Sequence, residues 1–491
     1  MKAKYDYIVM GAGVAGLSFA YEVSKHGKSV LILEKDKQIG GLSQTLEYKG
    51  FLFDYCAHRF HTENQELLNE VKQIVGPTFK KYTKKCRIYM FGRFLKYPFE
   101  LQNLLRAMKR VQAVKAIFSF GFNYILRQFM SLMRIERTEF RDYKDWFTYY
   151  FGGTLYRIMC EPYTTKIWKT SPENLSADWA DQRFHRIKLK ELIKRVVKKL
   201  LRLDFSSYSL EDDSLAPDGG EFYYGELGAQ EIPKGYERAL RKFDTDILTK
   251  VIIDKINEND KEIEFVVRGD NGNKLKVAAN NSIISTIPLQ DCYNYLERNN
   301  DLVKGYLGSL KYMDIIFVYL LIDKEQVSND HWLYFPDEDI IFNRSVEFTT
   351  WSKRMSPEGK TALCLDITCF EGDETWEKTN QSLVQESIDS SIRIGLIEEG
   401  EVEDSLVVRV KNAYPFYDLD YKDKIREVVK FIEEKRFVHC LGRTGIFRYN
   451  NSDGSIEMGM ELAKKLMSED PDIKSTHSPA VSITNHDKSI I

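Results

Sequence analysis

The hydrophobic pattern is sharpest near the two ends of the chain. Residues 5–35, YDYIVMGAGVAGLSFAYEVSKHGKSVLILEK, run as an apolar strand, a glycine turn, an amphipathic stretch at helical spacing and a second apolar strand. That order predicts a βαβ unit of about 30 residues. Residues 437–467, FVHCLGRTGIFRYNNSDGSIEMGMELAKKLM, predict a strand, a turn and an amphipathic helix from about residue 453. Between these ends, alternating apolar segments at 303–323 and 330–370 predict antiparallel strands. Residues 101–140 read as a long helical stretch mixing apolar, aromatic and basic side chains. Residues 186–202, RIKLKELIKRVVKKLLR, read as a strongly basic helix with Leu, Ile and Val at helical spacing. The clearest loop is LEDDSLAPDGGEF at 210–222, and the tail after 469 is polar and aperiodic. No window reaches the roughly 18 apolar residues of a membrane span, and no internal repeat is evident.

Composition narrows the class. A chain of 491 residues exceeds one ordinary core, so two or three structural units are expected. Hydrophobic residues at 43% and charged residues at 29% are the balance of a soluble globular protein. A formal net charge of -2 lacks the basic excess of a nucleic-acid binder. The seven cysteines are scattered and form no CxxC pair, so neither a disulfide framework nor a zinc site is signalled. With no signal peptide ahead of the first strand, a cytoplasmic location is expected.

The chemistry starts at the glycine turn. Gly11, Gly13 and Gly16 fill GxGxxG between a strand and a helix. Gly11 allows the tight turn, Gly13 lets a pyrophosphate approach amides at a helix N-terminus, and Gly16 lets helix and strand pack closely. Glu34 ends the second strand, placed to accept from a ribose. In the C-terminal segment, Gly442 and Arg443 follow a strand, where an arginine and helix amides can face phosphates. The stretch FDYCAHRFHTEN, residues 53–64, sets His58 and His61 three apart, which suits a metal site, a catalytic group or a packed turn. No cysteine or carboxylate cluster completes a coordination set, so no metal is expected.

A second glycine pair in QIGGLSQT, residues 38–45, resembles the large FAD-binding superfamily of amine oxidases and protoporphyrinogen oxidases. Within it, CAHRFHT and GRTGIFRYNNSD are similar to segments of the UDP-galactopyranose mutases. LKYPFE (95–100), EPYTTKIWKTSPENLSADWADQR (161–183), EIPKGYERAL (231–240), WLYFPDEDIIFNRS (332–345) and AYPFYDLDYKDKI (413–425) follow in matching order. The resemblance implies an α/β fold with a discontinuous Rossmann-like FAD-binding domain. Its expected residues are 1–80, 228–295 and 405–491, with a helical insert at 98–205. An antiparallel β-sheet substrate domain would take 81–97, 206–227 and 296–404. It also implies cofactor contacts from Gly11, Gly13, Gly16, Glu34, Gly41, Leu42, His58, Gly442, Arg443, Asp453 and Ser455. Arg183 and Arg344 correspond to arginines on the nucleotide diphosphate, a task suited to a guanidinium fork. Tyr97, Trp168, Tyr334, Tyr414, Tyr449 and Asn451 fall on substrate-framing segments, with Tyr417 a register alternative to Tyr414. His58 corresponds to a histidine beside the reactive face of the flavin, and His61 to a residue that holds the turn.

The chemistry so implied is interconversion of the pyranose and furanose forms of a nucleotide-activated hexose such as UDP-galactopyranose. Reduced FAD acts as nucleophile at the anomeric carbon, without net redox, and NAD(P)H or another reductant keeps it reduced. Galactofuranose for surface polysaccharide biosynthesis would be the product. Departures from the pattern are Cys56, where the family often has glycine, Asn451, where an acidic residue is common, and Thr164, so sugar and base stay open. Rival readings are an FAD oxidoreductase of the amine oxidase or protoporphyrinogen oxidase type and a non-catalytic flavoprotein. The basic helices suit a solvated face, an acidic partner or a peripheral site at the inner membrane surface. The oligomeric state is open, with a homodimer among the options.

Overall fold

The computed structural model describes residues 2–97, 104, 107–134, 137, 139–180, 220–269 and 272–469. Arg183, the basic stretch 186–202, most of the loop at 210–222 and the tail from 470 lie outside the described residues.

Strand β1 (Lys4–Met10) sits inside a seven-stranded sheet, between β2 (Val30–Leu33) and β12 (Lys274–Ser285), both parallel to it. Parallel strands covered on both faces need continuous apolar runs, and VLIL of β2 is buried at every position. β9 (Thr245–Leu248) extends the sheet past β2. On the other side β12 pairs with antiparallel β11 (Glu262–Val267) and with parallel β18 (Val438–Cys440), and β10 (Val251–Asn257) lies on β11. This is a Rossmann-like sheet assembled from the start, middle and end of the chain.

The first helix, Val14–Lys25, and the last, Ser452–Glu469, pack against each other on this sheet. Their approach is set by Gly459. A Cβ there would lie 2.1 Å from Ser18 Oγ and 2.6 Å from the Ala15 carbonyl oxygen, so a larger residue cannot be seated without separating the helices. Ser18 Oγ donates to the Ile456 carbonyl at 3.1 Å, tying the two across the contact.

Two short ribbons follow: β3 (Thr45–Tyr48) with β4 (Phe51–Asp54), and β5 (Phe79–Thr83) with β8 (Glu221–Gly225), both antiparallel. A second seven-stranded sheet is built from β6 (Cys86–Met90), β7 (Arg93–Lys96), β13 (Tyr312–Ile322), β14 (Trp332–Tyr334), β15 (Arg344–Glu347), β16 (Thr361–Cys369) and β17 (Val402–Pro415). Its order is β17-β13-β16-β15-β14-β6-β7. β16, TALCLDITC, is buried throughout, which explains its near-continuous apolar character.

Two expected boundaries shift. β17 was expected in the dinucleotide domain from 405, but it hydrogen-bonds along β13 from Val402 to Pro415 and belongs to the second sheet. β8, within the expected sheet segment 206–227, instead pairs with β5. The second sheet is also not wholly antiparallel, because β6 and β14 run parallel. In the helical insert, Arg110–Leu132, Tyr143–Phe151 and Glu161–Trp168 are helical. Trp146, Trp168 and Trp179 share one apolar cluster with Ile8 and Ile283 of the Rossmann sheet, so the insert is anchored by its aromatic residues.

Candidate active site

The glycine turn after β1 makes a cradle. Gly11 has φ of +101° and its amide donates to Leu33 O at 2.8 Å, drawing the ends of β1 and β2 together. A Cβ on Gly16 would lie 2.4 Å from Gly11 O, so helix and turn touch backbone to backbone. Gly13 differs: a Cβ there would meet nothing within 4 Å. It is also the N-cap of the first helix and makes no side-chain cap bond. Open space, helix amides and the positive end of the helix dipole therefore coincide, which suits a pyrophosphate. Gly40 and Gly41, at φ of +116° and +56°, fold the second glycine pair onto this turn, with Gly40 N donating to Ala12 O at 2.8 Å. A Cβ on Gly41 would stand 3.5 Å from Gly13 Cα, so this pair and Leu42 beside it border the open space. Glu34 is buried beneath, its carboxylate accepting from Ala12 N at 2.8 Å and Asp36 N at 2.9 Å. Burial pushes its pKa up.

The C-terminal segment closes the opposite side. Gly442, at φ of +80°, would set a Cβ 3.1 Å from Ala15 Cβ in the first turn of the first helix. Arg443 next to it is held by backbone: Nη1 donates to Ala413 O at 3.1 Å and Nε to Asn450 O at 3.1 Å. Its guanidinium lies 5.4 Å from the ring centroids of both Tyr414 and Tyr449, and such contacts are worth about 0.5–2 kcal/mol each. Ser455 Oγ donates to Asn450 Oδ1 at 3.1 Å, and Asp453 is buried at the start of the last helix. Asn451 is exposed there.

His58 lies within the electrostatic field of both Arg443 and Arg344. Burial first, then the Arg443 and Arg344 charges, hold its pKa down at about 3, so the imidazole is neutral at physiological pH. Arg344, opening β15, places Nε at 2.9 Å and Nη2 at 2.7 Å from Asp366 Oδ2 on β16, leaving Nη1 outside the pair. Cys56 Sγ donates to the same Asp366 oxygen at 3.1 Å. Burial pushes the Cys56 thiol up, so it is a donor and not a thiolate. Cys56 also has φ of +68°, a conformation that favours glycine.

Tyr334 stacks edge-on with Tyr97 at 5.3 Å and Tyr163 at 5.9 Å. Its pKa is raised well above the ordinary value by burial, against the lowering field of Arg344. Burial likewise pushes Tyr414 up to about 12, so both phenols remain donors at neutral pH. Tyr449 packs against Tyr414 and, at 4.8 Å, against Trp179.

The structure thus brings His58, Arg344, Arg443, Tyr334, Tyr414 and Tyr449 together. Two expectations change. Trp168 is only 2% exposed and packs edge-on against Trp179 at 4.6 Å, so it backs the Tyr449 wall and has no surface for a nucleotide. Of the two register alternatives, Tyr414 is the one that lies beside Arg443. Tyr417 is buried against Tyr421 at 4.1 Å, and its hydroxyl accepts from Tyr449 N at 2.6 Å. Asp366 was missed, although a lone acid in the apolar run LCLDITCF is a signal, since a buried charge needs a partner. Asp54 was missed too: fully buried, it accepts from Tyr224 OH at 2.6 Å and Ala229 N at 3.1 Å, which pins the ribbon carrying the His58 turn. His61 Nδ1 lies 3.0 Å from Glu221 O and ties that turn to β8. Among the described residues no group of His, Cys, Asp or Glu could hold a metal ion.

Comparison with known proteins agrees with this architecture. Residues 9–74 match the NAD(P)-binding Rossmann-like domain. The chain is 22% identical to the UDP-galactopyranose mutase of Mycoplasma pneumoniae over 94% of its own length and 96% of the relative's. It is 19% identical to protoporphyrinogen oxidase 2 of Arabidopsis thaliana over 93% of this chain and 91% of that one. The crystal structure of a reduced UDP-galactopyranose mutase superposes with a TM-score of 0.77 at 19% identity, covering 96% of this chain and 97% of that one. The resemblance read in short segments therefore extends over nearly the whole chain. The fold is a Rossmann-like dinucleotide-binding domain joined to a second, largely antiparallel sheet.

Proposed function

We propose that this chain is an FAD-dependent nucleotide-sugar mutase that interconverts the pyranose and furanose forms of a hexose, as the name of its full-length Mycoplasma relative suggests. The observation that carries the reading is the meeting of a neutral histidine, two guanidinium groups and protonated tyrosines beside the glycine cradle. Such a set suits a nucleoside diphosphate that must be held while its bond to the sugar breaks and reforms.

The cradle fits FAD: the open space at Gly13 admits a pyrophosphate, Glu34 stands at the end of β2 for a ribose, and Gly442 and Arg443 close from the other side. When bound and reduced, FAD supplies the nucleophile at the anomeric carbon. The chain's own residues do the rest. Arg344, steadied by Asp366, and the hydroxyls of Tyr334, Tyr414 and Tyr449 offer donors to the departing diphosphate and keep it near for recapture. Arg183 is assigned to the same diphosphate by the resemblance. His58, neutral, offers a hydrogen bond without adding charge beside the two arginines. Furanose so formed would be consumed in the cytoplasm by glycosyl transfer to a surface glycan.

The test is anaerobic incubation of the purified protein, oxidised and then dithionite-reduced, with UDP-, dTDP- and GDP-hexopyranoses, resolving products by ion-exchange chromatography. A product of unchanged mass formed only by the reduced protein supports the mutase and names its substrate. No conversion in either state, with bleaching of the oxidised flavin by another compound, would assign the chain instead to the oxidoreductases that share its fold.

A further inference from the structure

The helix Arg110–Leu132 has two unlike faces. Ala116 and Phe120 on the inner face are buried, and the Arg127 guanidinium lies 5.7 Å and 5.4 Å from the rings of Tyr149 and Tyr150. Ser119 Oγ accepts from Thr154 N at 3.4 Å. These contacts fix the rotation of the helix about its axis, and with it the direction of the outer face.

That outer face is apolar. Val111, Phe118, Phe122, Ile125, Phe129 and Leu132 follow one another mostly at three- and four-residue steps, with Phe118 74%, Phe122 68% and Leu132 80% exposed. Single exposed apolar side chains need no explanation, but an aligned row with three phenylalanines marks a binding surface. At 1.5 Å per residue the row is about 30 Å long, yet among the described residues no helix is long and apolar enough to cross a membrane.

Charge selects the occupant. Lys109, Arg110 and Lys115 are exposed at one end of the row and Arg134 at the other, and no Asp or Glu occurs between residues 101 and 135. Two copies packed through this face would set lysine and arginine against lysine and arginine, with no carboxylate on the helix to compensate. An anionic phospholipid surface instead pairs headgroup phosphates with the cations, while the phenylalanines enter the boundary between headgroups and acyl chains.

We propose that the outer face of the helix Arg110–Leu132 docks on an anionic phospholipid bilayer and lies in the plane of its interface. This inference is independent of the proposed reaction.

Flotation of the full-length, cofactor-loaded protein tests it, with vesicles of phosphatidylcholine plus phosphatidylglycerol against phosphatidylcholine alone, at low salt. The protein should rise with the anionic vesicles and stay behind with the neutral ones. Replacing Phe118, Phe122 and Phe129 together by serine should weaken partitioning at least about tenfold, with unchanged circular dichroism and flavin content. Lys109→Glu with Lys115→Glu should do the same. Failure of the unaltered chain to float with anionic vesicles would overturn the proposal, as would undiminished flotation of the serine variant. Sedimentation showing that the serine changes turn a dimer into a monomer would also overturn it, assigning the face to contact between copies.

Discussion

Asp366 holds three groups of the candidate site in register: it takes Nε and Nη2 of Arg344 and the thiol of Cys56 on one oxygen. Removing the arginine alone would leave a buried carboxylate unpaired, at a cost of about 3–5 kcal/mol. Arg344→Ala should therefore lower the melting temperature as well as turnover, the latter by about two orders of magnitude or more. Adding Asp366→Asn should restore much of the stability and none of the turnover, read by calorimetry beside the product assay. Near-normal turnover in Arg344→Ala with unchanged nucleotide-sugar affinity would exclude the assigned role. His58 carries a pH prediction. Its pKa falls from 6.5 to about 3 on folding, so the folded state binds fewer protons between those values. The stability tied to this neutral imidazole is complete above pH 6.5 and is lost as pH falls toward about 3. His58→Asn should flatten the acid side of the melting-temperature profile; an unchanged slope would show that the histidine is not shielded. Asp54 works in the opposite direction, since burial raises it to about 6 and its contribution fades as pH rises through that value.

At the level of elements, the contact of the first and last helices is narrow because Gly459 permits it. Gly459→Ala would drive a methyl into Ser18 Oγ and the Ala15 carbonyl. Overpacking of this kind costs about 1–3 kcal/mol. Because Ala15 also abuts Gly442, flavin occupancy should fall along with the melting temperature. Absorbance of the purified variant at the flavin band checks this. Both helices were legible in the sequence, as were β1, β2 and the glycine turn, because local periodicity and special backbone conformations write themselves into neighbouring residues. Partnership between strands does not. Nothing in VEDSLVVRVKNAYP tells which edge it joins, so β17 passed for part of the dinucleotide unit, and β8 for part of the larger sheet. The site divides the same way. Gly11, Gly13, Gly16 and His58 sit in motifs that their own neighbours spell out. Asp366 and Asp54 acquire meaning only from residues far along the chain that fold onto them.

For the molecule as a whole, the cradle takes its walls from the first 45 residues and from the segment beginning at Gly442. A ligand held by both ends stabilises the folded chain by mass action, about 2.7 kcal/mol at a hundredfold excess over its dissociation constant. FAD added to flavin-free protein should raise the melting temperature in a concentration-dependent way, and a chain ending before residue 438 should show no such rise. The same division governs the order of events at the ribosome. β1 and the first helix emerge early, but β18, which pairs with β12, and the helix that packs on Ser18 are made roughly 400 residues later. Until then the opening motif has neither its sheet completed nor its cradle closed. The nascent chain must therefore carry β1 with one edge unpaired until β12 is made, and an unfinished sheet and open helix face after that until the C-terminal segment arrives, which makes it a natural client of ribosome-bound chaperones.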